Sequence, residues 1–514
     1  MDAGVGGHRR LPAAPFRLIA PTSESGQTPG PRRDRDRVVT LDADTCYRAL
    51  VARDPRFDGV FFVGVETTGI YCRPVCRART PGRDRCTFHR SAASAERAGF
   101  RACLRCRPEL APGDAPIDSV PRLVARAVAR LDEAARGEVS VAAIANDLGV
   151  SDRHLRRAIE AELGVSPREL VASRRLAIAK QLVVGSSLSL AQVAFASGYG
   201  SVRRFNDAFR ARFARTPTAL RAGRARESEG VVTLHLGVRV PFAWSEALAF
   251  LASRALPGLE WVEGDAWHRA VRIEDRAGVI RASSEPARAM VRVEIPTALA
   301  PHAMTIASRV RAVLDLDAAP ARIDETLAAD PSLRRAVARR PGLRVPGAWD
   351  GFELAVRAIL GQQVSVAAAR TLAARIVVAL GPAPIDGALA FPDPSSIVRG
   401  GPDRLSALGV LPARARSIVA LARAVDEGGL RLDRGADPEA TMAALQTIEG
   451  VGPWTASYVA MRALRWPDAL PASDLVLKKR LGVKTEGAVR AHAERWRPWR
   501  AYGVMHVWAR GEEE

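Results

Sequence analysis

Lysine is almost missing from this sequence. Of 76 basic side chains only Lys180, Lys478, Lys479 and Lys484 are lysine; the rest are arginine. The positive charge is therefore carried by planar guanidinium forks, which fit phosphate and stack on bases. No apolar run reaches the 18 residues of a membrane-spanning helix. Phe16–Ala20 is too short for the core of a secretory signal. A cytoplasmic protein without a membrane partner is expected. Cysteine is absent after Cys106, and all six cysteines lie between positions 46 and 106. In a reducing compartment that clustering points to metal or catalysis before disulfides.

What is present is long, apolar enough to fold and strongly basic. The 514 residues are 47% hydrophobic and allow about three or four domains. The net charge of +20 is uneven. Residues 1–115 hold 20 Arg and 13 acids, and residues 116–226 hold 19 basic and 10 acidic groups. The remaining residues are close to balanced, so the basic field lies in the first half, as a nucleic-acid partner requires. Residues 1–37, rich in Arg, Pro, Gly and Ser, read as a disordered leader.

Two cysteine pairs, Cys72-Arg-Pro-Val-Cys76 and Cys103-Leu-Arg-Cys106, have the spacing of a four-cysteine zinc site. Cys46 and Cys86 lack such spacing and read as buried thiols. Closed four-thiolate sites are usually structural, and spacing alone favours that role. The flanks Thr67–Arg79 and Ala98–Glu109 resemble the N-terminal domain of Ada-type alkylation-response proteins. The resemblance implies that Cys72 accepts a methyl group from a methylated DNA phosphate. It also implies that Arg73, Arg77, Arg79, Arg101, Arg105 and Arg107 face the backbone. Ada-type relatives often carry a second methyltransferase domain with a Pro-Cys-His-Arg-Val motif, which this sequence lacks.

An internal repeat follows. Ser140–Ser151 is echoed by Ser189–Ser201, with Gly149 and Gly198 49 residues apart. Each unit reads as a helix, a glycine turn, a Ser N-cap and a second helix. The second helices are expected at Asp152–Leu163 and Val202–Phe213. Arg153, Arg156, Arg157, Arg203, Arg204 and Asn206 are candidate readers of DNA. A helical bundle with a solvated basic face gives the same pattern. The tails Gly164–Pro167 and Ala214–Pro217 resemble the AraC-type domain with two helix-turn-helix motifs.

After a polar linker near 224–230 the pattern changes. Strand-like pieces at 231–240, 270–274, 279–282 and 289–295, with a helix at 241–251, form a small α+β unit. Beyond about 305 the chain reads as helical, with a loop at 381–394. Gly450-Val451-Gly452-Pro453-Trp454 joins a helix at 441–448 to another begun by Pro453, and Asp474 precedes a third. Glycines permit the tight hairpin, and their N–H groups with the helix start form an anion site. An ordinary helical hairpin also fits that turn, and Asp474 also suits a plain N-cap.

Phe352–Ser365, Glu449–Tyr458, Leu470–Leu475 and Glu494–Trp508 resemble the AlkA-type 3-methyladenine DNA glycosylase II family, over nearly all of 231–510. The resemblance makes Asp474 the catalytic carboxylate and Trp454, Tyr458, Phe250 and Trp508 the base pocket. Gly450 and Gly452 would grip a DNA phosphate, and Gln363 would stand where a wedge fills the gap left by a flipped base. Relatives that cut the strand through a Schiff base place lysine where this chain has Trp454, so a monofunctional enzyme is implied. Carbonyls around Ile448–Gly452 are candidate ligands for a monovalent cation.

The expected fold class is multidomain α+β. It comprises a leader (1–37), a small four-cysteine zinc domain (38–114) and an all-α double helix-turn-helix domain (117–225). An α+β subdomain (230–304) and an all-α helix-hairpin-helix glycosylase domain (305–510) follow. The expected cofactor is Zn2+. The expected partners are double-stranded DNA, both alkylated and promoter, and RNA polymerase, with the protein a monomer. The rival reading is a transcriptional regulator whose glycosylase-like half is inactive.

Overall fold

The computed structural model describes residues 42–112, 122–134, 139–222, 230–385 and 387–509. The expected leader and most of the polar linker lie outside them. No described helix is long and apolar enough to cross a membrane.

The first unit builds a four-stranded sheet in the order Cys86–His89, Phe62–Val65, Ile70–Cys72, Arg101–Ala102. The last pair is parallel, with Tyr71 opposite Ala102, so each cysteine pair begins where one of these two strands ends. Cys46 and Cys86 are buried in the neighbouring core, as their lack of ligand spacing suggested.

Among the described residues seven helices follow, from Arg122–Ala134 to Pro217–Arg221. The repeat is real in three dimensions. Gly149 and Gly198 both take positive φ, at 70° and 79°. Ser151 and Ser201 cap the helices Asp152–Leu163 and Val202–Phe213 by accepting the N–H of His154 and of Arg204. These bounds match the sequence reading because both ends are marked by cap residues.

The third unit is a five-stranded antiparallel sheet ordered Val231–Gly237, Met290–Pro296, Arg276–Glu285, Ala266–Ile273, Glu260–Glu263. The strand Glu260–Glu263 was not foreseen. It has four residues with charge at both ends, too short for a readable alternation. The helix expected from Pro241 begins only at Trp244. Helices then run from Ala303–Val313 to Arg500–Trp508.

The units share cores. Leu182 of the helix Pro167–Val184 and Phe205 and Phe209 of the second helix-turn-helix pack with Val232, Leu234 and Val293 of the sheet in one buried cluster. Gln181 accepts the backbone N–H of His235 at 2.8 Å. Elsewhere Arg130, on the helix Arg122–Ala134, donates to Asp433 at 2.5 Å and pairs with Asp147 at 2.8 Å. Arg126 beside it donates to the Gly435 carbonyl. The regulator-like half is thus clasped to the helical half through the buried guanidinium of Arg130 and the half-buried Asp433.

Candidate functional sites

Asp474 is the N-cap of the helix Leu475–Leu481 and accepts the N–H of Leu477 at 2.7 Å. Cap and site coincide here. The Trp454 indole donates to one carboxylate oxygen at 2.8 Å, and the Trp508 indole donates to the other at 3.1 Å. Three donors from three helices fix the plane of a carboxylate that is only 9% exposed. Trp454 and Tyr458, one turn apart on the helix Pro453–Arg462, stack with centroids 5.1 Å apart and planes 10° from parallel. Trp508 lies 6.3 Å from Tyr458. Four of the five residues expected together, Asp474, Trp454, Tyr458 and Trp508, are linked by these contacts.

Phe250 is half-buried and packs against the same cluster as Trp508. The Arg254 guanidinium sits 3.8 Å from its ring centroid and Arg462 4.7 Å from it, so its ring already carries resident cations. Arg462 donates to the Tyr458 hydroxyl at 2.7 Å and to the carbonyls of Pro346 and Gly347. Burial would raise the Tyr458 phenol, but Arg462 and Arg254 outweigh it and hold it down to about 8. Arg462 was legible as the i+4 neighbour of Tyr458. Arg254 carries the same signal, as the i+4 neighbour of Phe250 on the helix Trp244–Arg254.

The hairpin is built as its glycines require. Gly450 has φ 82°, and a Cβ there would meet Ser417 Oγ at 2.5 Å. Gly452 caps the helix of Trp454 with extended backbone, and a Cβ there would meet nothing within 4 Å. The first glycine serves the turn; the second leaves the helix N-terminus open to an anion. The carbonyls of Ile448, Gly450 and Gly452 each accept one hydrogen bond, from Val451, Gln362 and Ala456. Gln363 is exposed with φ 52° on the adjoining turn. Its neighbour Gln362 ties that turn to Gly450 and to Thr455 Oγ1, both at 2.9 Å, a contact the sequence did not reveal.

On the recognition helices Arg153, Arg157, Arg203 and Arg204 are exposed, and Asn206 is half-buried. Arg156 differs from expectation, because it is half-buried and paired with Asp152 at 2.9 Å one turn back.

The ligand atoms of Cys72, Cys76, Cys103 and Cys106 all lie within 4.8 Å of one another. Mutual thiol bonding, chiefly with Cys106, holds Cys76 and Cys103 low, and bonds from Cys103 and Cys72 push Cys106 up. Cys106 pulls Cys72 down, but Cys76 and burial outweigh it and push Cys72 up. Four sulfurs so close become thiolates together only around a cation, which suits zinc. Arg73 is not a free phosphate ligand. It is 6% exposed and locked in an ion pair with Asp58. Arg77, Arg101 and Arg105 are exposed.

Four family models match the chain in order: the metal-binding domain of Ada over 45–109, a helix-turn-helix domain over 144–223, the AlkA N-terminal domain over 233–350 and the HhH-GPD superfamily of base-excision DNA repair proteins over 356–499. A probable bifunctional transcriptional activator/DNA repair enzyme AlkA of Mycobacterium tuberculosis is 41% identical over 481 residues, spanning 91% of this chain and 96% of its own. The chain belongs to that family. Its two halves have separate relatives in Escherichia coli. DNA-3-methyladenine glycosylase 2 is 37% identical over 52% of this chain and 94% of its own length. The bifunctional activator/repair enzyme Ada is 37% identical over 26% of this chain and 36% of its own. The family thus joins a zinc-bearing, helix-turn-helix regulator to a DNA glycosylase in one polypeptide.

Proposed function

We propose that the C-terminal half hydrolyses the N-glycosidic bond of cationic alkylated bases such as 3-methyladenine in duplex DNA, with Asp474 as the catalytic carboxylate. The observation that carries this is the pair of indoles aimed at Asp474 from opposite sides. A flipped base enters against Trp454, Tyr458 and Trp508, where stacking and cation–π attraction favour positive charge. The bond between C1′ and the base nitrogen breaks, and the electron pair leaves with the base, which becomes neutral. The carboxylate of Asp474 stabilises the oxocarbenium-like sugar. Water attacks C1′ and its proton passes to the Asp474 carboxylate, leaving an abasic site. Trp454 offers no amine, so no Schiff base forms at that position and the strand is not cut. Gly450 and Gly452 hold a phosphate, the carbonyls around Ile448–Gly452 would hold a monovalent cation that supplies positive charge for it, and Gln363 enters the gap left by the base.

In the N-terminal half Cys72 takes methyl from a phosphotriester. The Cys72 sulfur–carbon bond forms, the methyl–oxygen bond breaks, and the phosphate oxygen keeps the electron pair as a diester anion. Cys72, Cys76, Cys103 and Cys106 would hold zinc, which would supply the charge that keeps the Cys72 sulfur a thiolate at neutral pH. The thioether at Cys72 carries no charge, so repulsion from DNA falls. The recognition helices, through Arg153, Arg157, Arg203, Arg204 and Asn206, then hold promoter DNA and recruit RNA polymerase. The protein works as a cytoplasmic monomer.

Two assays test this. Release of free base from alkylated duplex is compared for wild type and Asp474→Asn, which keeps a capping oxygen but removes the charge. A loss of roughly 100-fold or more is expected, and equal rates remove Asp474 from the mechanism. Transfer of labelled methyl from phosphotriester DNA is compared for wild type and Cys72→Ala. Labelling of both excludes Cys72 as the acceptor.

A further inference from the structure

Between the zinc unit and the glycosylase sheet lies a cleft of about 910 Å3. One wall carries Arg53, Arg77, Arg105 and Arg107, with the ligand Cys106 among them. The facing wall is the sheet of the glycosylase half, with His235, Arg239 and Arg288, and Gln181 of the helix-turn-helix domain closes one end. Seven arginines line the cleft against one lining carboxylate, Asp58, which is already paired with Arg73. Arg239 is spoken for by the carbonyls of Asp58 and Asp317. Arg288 is different. It stands on the turn between two sheet strands, its side chain is 67% exposed, and it reaches Glu285 only at 3.4 Å.

We infer that this cleft is a DNA-backbone site shared by two halves of the protein, in which Arg288 of the glycosylase sheet holds phosphates next to the triester presented to Cys72. The inference rests on the reading of Cys72 as methyl acceptor and extends it. Like charges crowded on facing walls repel one another until a polyanion fills the space. Arginine is the residue suited to phosphate oxygens because its fork makes two parallel bonds. The presence of Cys106 in the same wall ties the cleft to the metal centre, so the ligand is a strand that runs past that centre rather than a free anion. A zinc unit standing alone would present half of this surface.

The test uses the full zinc-loaded chain carrying Arg288→Glu, with Arg53→Glu as a second variant on the opposite wall. Binding of a phosphotriester-containing duplex is measured across a salt series, together with the single-turnover rate of methyl transfer. Each variant is expected to slow transfer at least 5-fold at subsaturating DNA. Each is expected to flatten the slope of log affinity against log salt by about 0.9 for every phosphate that is no longer held. Base release from a short alkylated duplex serves as the fold control and stays at the wild-type rate. Unchanged transfer and slope in Arg288→Glu overturn the shared site while leaving Cys72 as acceptor. No transfer by the wild type overturns both. Inhibition of transfer by micromolar pyrophosphate at constant ionic strength overturns the assignment to a DNA strand in favour of a small anion.

Discussion

Arg212, near the end of the second recognition helix, donates to the Tyr71 hydroxyl at 2.8 Å, one residue from Cys72. Both groups also engage Glu96, Tyr71 at 2.8 Å and Arg212 as an ion pair. Breaking a buried pair leaves an uncompensated charge. Arg212→Met should therefore cost about 3 kcal/mol or more, read as an earlier first transition in urea unfolding. Tyr71→Phe, which leaves the ion pair, should cost about 1 kcal/mol. Equal costs for the two variants would show that the ion pair contributes nothing.

The two hairpin glycines should respond differently. Gly450→Ala places a Cβ against Ser417 in a left-handed backbone, and thermal stability should fall by roughly 1–3 kcal/mol. Gly452→Ala meets open space with ordinary backbone angles, so its melting temperature should stay within a degree or two. Its affinity for abasic-site DNA should nevertheless fall several-fold, because the methyl stands where the phosphate approaches. Normal binding by Gly452→Ala would remove the phosphate from that helix end.

Tyr458 gives the pocket a pH dependence. Its phenol, held down to about 8, is neutral below that pH and anionic above it. A cationic base gains an attractive partner on ionisation. The kcat/KM for 7-methylguanine or 3-methyladenine should thus rise as pH increases through about 8. Tyr458→Phe should remove that limb, and Arg462→Met should move it to higher pH. A profile indifferent to both substitutions would count against this role.

Metal removal should act on the first unit alone at first. One zinc per chain is expected, lost in Cys76→Ser and retained in Cys46→Ser, as read by metal analysis. Chelation should expose residues 42–112 to proteolysis before the glycosylase activity declines. Simultaneous loss of both would mean that the shared cores make the zinc unit indispensable to the whole.

Much of this molecule was readable beforehand wherever chemistry is local. Caps at Ser151 and Ser201, the cysteine spacing and the paired glycines are each set by neighbours within a few residues. The approach of Trp454, Trp508 and Asp474 spans three helices and came only through the family resemblance. What stayed hidden was set by contacts distant in sequence. Arg73 has the same local look as Arg77, yet Asp58 removes it from the surface. Arg462 lies 212 residues from Phe250 in sequence, and no periodicity links it to that ring, whereas Arg254 is the i+4 neighbour of Phe250 on one helix. Arg156 shows the opposite failure, since Asp152, the partner that occupies it, stands in plain view four positions earlier.

The ionic clasp of Arg130 with Asp433 and Asp147 bears on how such a polypeptide is inherited. Separation of the halves has a cost, because it takes Asp433 from Arg130 and leaves that guanidinium to Asp147 and Glu133 of its own half. A regulator of this kind rejoined to a different enzyme would keep the cross-half clasp only where the new enzyme offers an acid at the place of Asp433.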